Sequence, residues 1–393
     1  MAPRPITASR MGHVGCCLIT LTMAGVAAAP AVETLAPDQL GTVEIAAPAA
    51  ALTFARIAAA GGPRVIAVSK CHAGQVAGVD LSALLGRDVS DPIAVLGEIG
   101  YEALRDRIVA ATERAQIVVP ASDLILPVDL GDHHVAAGTN YPEHADEAEV
   151  EDGPFLFAKL VEPTGPFASV SAGDALLDYE VELAWVALAP LAAGETPARI
   201  GLVLCNDYTD RATLLRRVDA WDPTSGKGFT TGKSFPGYLP VGSLFVVPDD
   251  VRAFAAALEL RLWVNGELRQ RSPVAAQVWD LDEMLARTWA RRAATWEHRG
   301  ARVSLLPDAG AIPARTLLMS GTPGGTVFAG VDMSARASGV LAWLGGGWQT
   351  PLTAHVVEAY IDRARAAARY LQPGDRVTIH VNRLGVIEND IVR

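Results

Sequence analysis

The sequence predicts an α+β fold with more strand than helix, and three observations carry that prediction. Short apolar or alternating runs bounded by Gly and Pro recur from Leu52 to the C-terminus. Leu258 to Arg269 alternates on both sides of Asn265-Gly266, the dipeptide that favours a two-residue hairpin turn. Helical patterns are few and do not alternate regularly with the strands, which argues against a parallel doubly wound sheet.

The chain has 393 residues, of which 50% are hydrophobic and 20% charged, so it is globular and long enough for a large core. A net charge of -11 with no Lys/Arg block excludes nucleic acid and an anionic membrane surface as partners. A small anionic substrate stays possible, because it needs only a local positive site.

Taken in order, the chain begins with Arg4 and Arg10 ahead of an apolar run from Val14 to Ala29, ending in Ala29-Pro30-Ala31. Residues 1–31 read as a secretory signal, too short for a membrane span. That places the mature chain in the periplasm or outside the cell; a start codon assigned too early would leave it cytoplasmic. No stable membrane insertion is expected. Cys16 and Cys17 would leave with the leader, and Cys71 and Cys205 make no disulfide framework.

Residues 45–127 read as a small N-terminal α+β module of short strands followed by a helical stretch from Tyr101 to Ala115. Residues 128–393 form the second region. There an apolar strand leads into Gly138, and Pro142 opens a helical turn. Residues 279–298 are helical in pattern, and 314–323 are a strand entering a tight turn. Residues 331–370 carry Gly345-Gly346-Gly347 and an amphipathic helix from Thr353 to Tyr370. Strands close the chain after the turn at Pro373-Gly374-Asp375.

Five stretches carry chemistry. Asp178 to Val186 alternates, which points Asp178, Glu180 and Glu182 to one side and Tyr179, Val181 and Leu183 to the other. Carboxylates so placed repel one another, and several oxygens on rigid backbone suit a hard divalent cation. The apolar strand from Leu202 ends at Asp207, which completes a set of three with Glu180 and Glu182. His144 and Glu147, three apart on a helical turn, share a face, so the carboxylate can orient the imidazole as a base acting on water. Lys233 sits in a Gly- and Pro-punctuated loop suited to presenting an ammonium to an anion. It lacks the upstream glycine of a phosphate loop. Ser320 to Gly325 is a tight turn whose backbone N–H groups, with the Thr322 hydroxyl, can cradle a carboxylate.

These stretches, in this order, resemble the fumarylacetoacetate hydrolase family. The matching motifs are G-x-N-Y-x-x-H-x-x-E at 138–147, D-Y-E-V-E-L at 178–183 and N-D-x-[ST]-x-R at 206–211. K-S-F followed by P-x-G at 233–242, the V-N-G-E hairpin, S-G-T-P-x-G at 320–325 and L-x-P-G-D at 371–375 complete the set. The resemblance implies a mixed β-roll catalytic domain, a homodimer, and Mg²⁺ or Mn²⁺ held at Glu180, Glu182 and Asp207. It implies His144 and Glu147 as the water-activating pair and Lys233 at the developing oxyanion. Tyr141, Arg211 and Thr322 would contact a small 2-oxo acid substrate.

The expected activity, of the acylpyruvase-like branch, is metal-dependent hydrolysis of a carbon–carbon bond in a β-diketo acid, of acylpyruvate or fumarylpyruvate type. The same metal-stabilised enolate would serve a 2-oxo acid decarboxylase or isomerase, or a 2-oxo-3-deoxy sugar acid dehydratase. An exported, non-catalytic binding protein for a metal and a 2-oxo acid is the alternative of another class. Two departures stand out. The hydrolases place a glutamine three positions after Arg211, where this chain has Leu214, so either an oxyanion donor is missing or the leucine shapes an apolar pocket. The helical insert at 331–370 is longer than that junction normally carries.

Overall fold

A computed structural model describes residues 42–393; the leader read at 1–31 lies outside the described residues. The chain forms an eleven-stranded sheet in which Val181–Val186 lies centrally, between Gly201–Asn206 and Leu317–Met319. A second, five-stranded sheet contains the Glu259–Val264 and Glu267–Pro273 hairpin together with the C-terminal strands. Among the described residues the strands pair antiparallel except where Leu317–Met319 meets His133–Gly138 and Gly385–Val392 meets Val170–Ser171. Among the described residues strand outweighs helix, and no βαβ winding organises the sheet. The hairpin turn has φ of 52° at Asn265 and 82° at Gly266, the two positive angles that its tight turn demands.

Residues 45–127 are joined to the rest by the sheet itself. Ala51–Ile57 pairs with Phe245–Pro248, and Arg64–His72, Gln75–Asp80 and Gln116–Pro120 extend the edge outward. The helical stretch expected at 101–115 stops at Val109, and a 3₁₀ turn at Glu113–Ala115 leads into the last of these strands. Helix was also expected through to His298. The helix is Leu281–Arg291, and Thr295–His298 turns back as a strand against Ala301–Ser304. The β-branched and aromatic pair Thr295-Trp296, followed by Arg299-Gly300 at φ of 49° and 79°, favours that hairpin over helix.

Alternation holds along the central strand, but both faces are buried. Tyr179, Val181, Leu183 and Trp185 enter one apolar cluster; Ala184 and Val186 enter the other, with Val203 and Cys205. The carboxylates therefore lie at the end of a core face and not in water. The expected single strand is also broken. Leu177–Asp178 pairs with Thr209–Asp210, and the main-sheet strand begins only at Val181.

The insert at 331–370 is helical, as the pattern implied. Met333–Ala342 and Leu352–Ala366 flank a π turn at Trp343–Gly347. At Gly339 a Cβ would come within 2.5 Å of the Val356 Cα, so only glycine lets these two helices lie this close. Ala335, Tyr360, Ile361 and Ala364 seat the pair on Leu176, Ala212 and Leu215.

Candidate metal centre and the cavity in front of it

Register assembles the carboxylate set. Glu182 lies opposite Cys205, and the chain continues so that the Asp207 N–H donates to the Glu180 carbonyl at 2.9 Å. Residues two apart share a face, so Glu180, Glu182 and Asp207 converge. One ligand oxygen from each lies within 4.8 Å of the others, and all three side chains are buried. The Asn206 amide oxygen accepts from the Glu180 N–H at 2.9 Å, which fixes the backbone where the strand is broken.

Three cations answer these carboxylates. Lys233, at the end of the Phe229–Lys233 helix, donates to Glu180 Oε2 at 2.6 Å and Asp207 Oδ2 at 2.8 Å. Arg211 Nη2 donates to Glu180 Oε1, while its Nε donates to Asp178 Oδ2 at 2.8 Å. The sequence reading missed the third, Lys159. Its ammonium, fully buried, pairs with Asp207 Oδ1 and donates to the Tyr238 carbonyl at 2.8 Å. Formal charges of Lys159, Arg211 and Lys233 thus balance those of Asp178, Glu180 and Asp207. Glu182 is left over.

Electrostatics follow that count. Burial opposes the Glu180 charge, but Lys233, Arg211 and His144 outweigh it and hold its pKa well below the usual carboxylate range. Burial, reinforced by Asp207 and Glu180, pushes the Glu182 carboxyl well up. Lys233 is raised against its burial by Asp207 and Glu180; Lys159 is lowered by burial, which Asp207 offsets only in part. Glu182 Oε1 is buried without a hydrogen-bond partner. An orphaned oxygen beside two further carboxylates suits a hard divalent cation, which would meet both the surplus charge and the vacant lone pair.

The Ser320–Gly325 turn does something other than expected. Its N–H groups are taken by the protein's own carboxylates: Gly321 donates to Glu182 Oε2 at 3.0 Å, and Gly325 donates to both Glu147 oxygens at 2.9 and 3.0 Å. Both glycines have positive φ, and a Cβ on Gly325 would fall 2.0 Å from the Arg269 carbonyl oxygen. Gln270 fastens the turn from the hairpin, donating to Thr322 Oγ1 at 2.9 Å and the Pro323 carbonyl at 2.8 Å.

His144 and Glu147 lie on the Pro142–Glu147 helix as expected, with Nδ1 and Oε2 3.8 Å apart. That is an ion-pair distance, not a hydrogen bond; Glu147 is anchored to Gly325, and His144 Nδ1 has no partner. The helix is aimed by Asn140, whose amide donates to the Ser320 carbonyl at 2.8 Å and accepts from the Trp279 N–H at 2.7 Å.

A cavity of about 680 Å³ opens over this cluster. His144, Glu180, Arg211, Lys233 and Thr322 reach its wall, with Leu214 beside them. Tyr141 does not. It is fully buried beneath the helix, and its hydroxyl accepts from Gln277 at 3.0 Å, because the extended backbone at 141 turns its ring toward the core.

The family model for the C-terminal domain of fumarylacetoacetate (FAA) hydrolase matches residues 133–392. The chain belongs to the fumarylacetoacetate hydrolase family. It is similar to the mitochondrial oxaloacetate tautomerase Fahd2a of Rattus norvegicus, 24% identical over 284 residues, 70% of this chain and 72% of the rat protein. Similarity to the mitochondrial oxaloacetate tautomerase FAHD2B of Homo sapiens is 30% over 190 residues, 46% of this chain and 57% of the human protein's length. The fold is shared with the crystal structure of maleylpyruvate hydrolase from Sphingobium sp. SYK-6, at 21% identity and a TM-score of 0.53 over 87% of this chain and 99% of that one. The chain is therefore an enzyme of the fumarylacetoacetate hydrolase family, and it carries a buried acidic triad able to hold a divalent cation.

Two substitutions probe the charge count. Glu182→Gln keeps the shape and removes the surplus carboxyl, so the melting temperature without metal should not fall. A divalent cation held by the triad should stabilise the wild type by about 2.7 kcal/mol at a hundredfold excess over Kd and should not stabilise the variant; a full response in the variant would remove Glu182 from the ligand set. Lys159→Met strips Asp207 of a buried partner and should cost roughly 3–5 kcal/mol in chemical denaturation. An unchanged midpoint would show that Lys159 carries no structural charge balance.

Proposed function

We propose that this enzyme hydrolyses a carbon–carbon bond in a β-diketo acid of acylpyruvate type with the help of Mg²⁺ or Mn²⁺. The observation that carries the reading is that Glu180, clustered with Glu182 and Asp207, reaches the cavity wall together with His144 and Lys233. Bound at the triad, the cation would supply Lewis acidity toward the substrate's carboxylate and 2-oxo group and charge stabilisation for the departing enolate. His144 takes the proton from the attacking water. Glu147, fixed by Gly325, lies where it stabilises the resulting imidazolium, and the 3.8 Å gap is of the kind that closes when substrate binds. Lys233, at the wall and rich in donors, meets the charge that develops on the distal carbonyl. Arg211 and Thr322 line the path of the substrate's carboxylate. Support comes from His144, Glu180, Arg211, Lys233 and Thr322 all lining the same cavity.

A second reading, oxaloacetate tautomerisation, is favoured by the names of the rat and human relatives. It needs the same enolate, with His144 moving a carbon-bound proton instead of one from water. Turnover of acylpyruvates, oxaloacetate and 2-oxo-3-deoxy acids by the purified chain with Mg²⁺ or Mn²⁺ separates the possibilities. His144→Ala should lower kcat for acylpyruvate cleavage by about 10²–10⁴, with the Mg²⁺-dependent thermal shift retained. Oxaloacetate turnover that survives in the variant assigns His144 to water activation, whereas equal activity on every substrate removes it from the reaction.

A further inference from the structure

The cavity has two unlike ends. Inward lie the carboxylate, ammonium, guanidinium and imidazole groups already described. Outward the wall is apolar: Leu215 and Val218 follow Leu214 on one side, and the 331–370 insert supplies Val340, Leu352, Val356 and Val357 on the other. Val340 and Leu352 are each 38% exposed, an arrangement that gains stability only when something apolar covers them. A pyruvate unit of six heavy atoms, at no more than roughly 30 Å³ for each water-sized group, leaves most of the 680 Å³ unfilled.

Resting on the reading of this site as one for 2-oxo acids, we infer that the substrate carries an apolar acyl tail several carbons long, seated between the Leu214–Val218 segment and the two insert helices. Leu214 then is a wall residue, in the position where a glutamine would stand unpaired against that tail. Its backbone and Cβ also pack on Gly232, where an added Cβ would lie 2.7 Å from the Leu214 Cβ, so the wall and the Lys233 helix are fixed together.

A dicarboxylic substrate with its second carboxylate outward is disfavoured by the same wall. Arg336 is the cation at that end, and its Nη2 already pairs with Glu149 while its Nε donates to the Val331 carbonyl at 2.7 Å. Glu149 and Asp219 also line the wall, and both would repel a distal carboxylate.

Calorimetric binding of straight-chain 2-oxo acids, from 2-oxobutanoate to 2-oxodecanoate with Mg²⁺ present, tests the inference without requiring turnover. Kd should fall about three- to fourfold per added methylene over the first several carbons, and a 2-oxo diacid of equal length should bind more weakly than the monoacid. Val340→Asp combined with Leu352→Glu should flatten the series, and the milder Val340→Ala with Leu352→Ala should reduce its slope. The wild-type series decides the matter even where a variant fails to fold. A flat series with oxaloacetate still bound, or a preference for the diacid, overturns the apolar tail and leaves the 2-oxo acid site standing. No Mg²⁺-dependent binding of any 2-oxo acid, oxaloacetate included, overturns both.

Discussion

The constraint on which this structure depends is the concentration of charge at the end of an apolar strand face. Glu180, Glu182 and Asp207 are each less than 5% exposed, and desolvation on that scale is tolerable only with partners in place. At an effective dielectric near 20, opposite charges 4 Å apart attract by about 4 kcal/mol. Lys159, Arg211 and Lys233 are therefore as necessary to the fold as to any reaction. Their arrangement stops one charge short. The leftover carboxyl, Glu182, accepts from Gly321 on one oxygen and has no hydrogen-bond partner on the other, where a divalent cation would fit in place of the proton that burial favours.

The same economy explains the glycine-rich turn at 320–325. A side-chain donor could hold Glu147 or Glu182, but it would bring its own volume into a crowded space. Backbone N–H groups bring none, provided that the turn takes positive φ and lets the hairpin carbonyl of Arg269 approach closely. One turn thereby fixes a member of the carboxylate set and the carboxylate next to His144.

Much of this was legible in the sequence. Period-two alternation marked Glu180 and Glu182, a strand end marked Asp207, and the i,i+3 spacing marked His144 and Glu147. Asn265-Gly266 announced its hairpin, and the second insert helix announced itself by pattern, while Met333–Ala342 was not read individually. What stayed hidden depends on neighbours distant in the chain. Lys159 sits in Phe155–Leu160, a run that reads as an ordinary buried strand, and nothing local says that its ammonium meets Asp207 48 positions on. Arg211 looked like a free substrate contact because its bonds to Asp178 and Glu180 span about thirty residues. Tyr141 shared a motif with His144, yet the cap of a short helix sends the two side chains opposite ways. Alternation told which residues share a face, but not that both faces would be covered.

The insert completes the argument about how specificity and chemistry are joined. Two ion pairs tie it to the site: Arg336 with Glu149, just after the His144 helix, and Arg216 with Glu358, at 2.7 and 2.8 Å, just after Arg211. Exposed pairs such as these contribute about 0–1 kcal/mol each, too little to hold two helices in place. Burial of Tyr360, Ile361 and their neighbours against Ala212 and Leu215 contributes more, at about 1.5–3 kcal/mol for each large apolar side chain. Packing thus sets where the insert sits, and the ion pairs set its orientation. The packed surface belongs to the helix that carries Arg211 and Leu214, so the apolar cavity wall at Leu214 and the guanidinium paired with Glu180 sit on one element. That helix therefore connects the insert's packing to the charged end of the cavity.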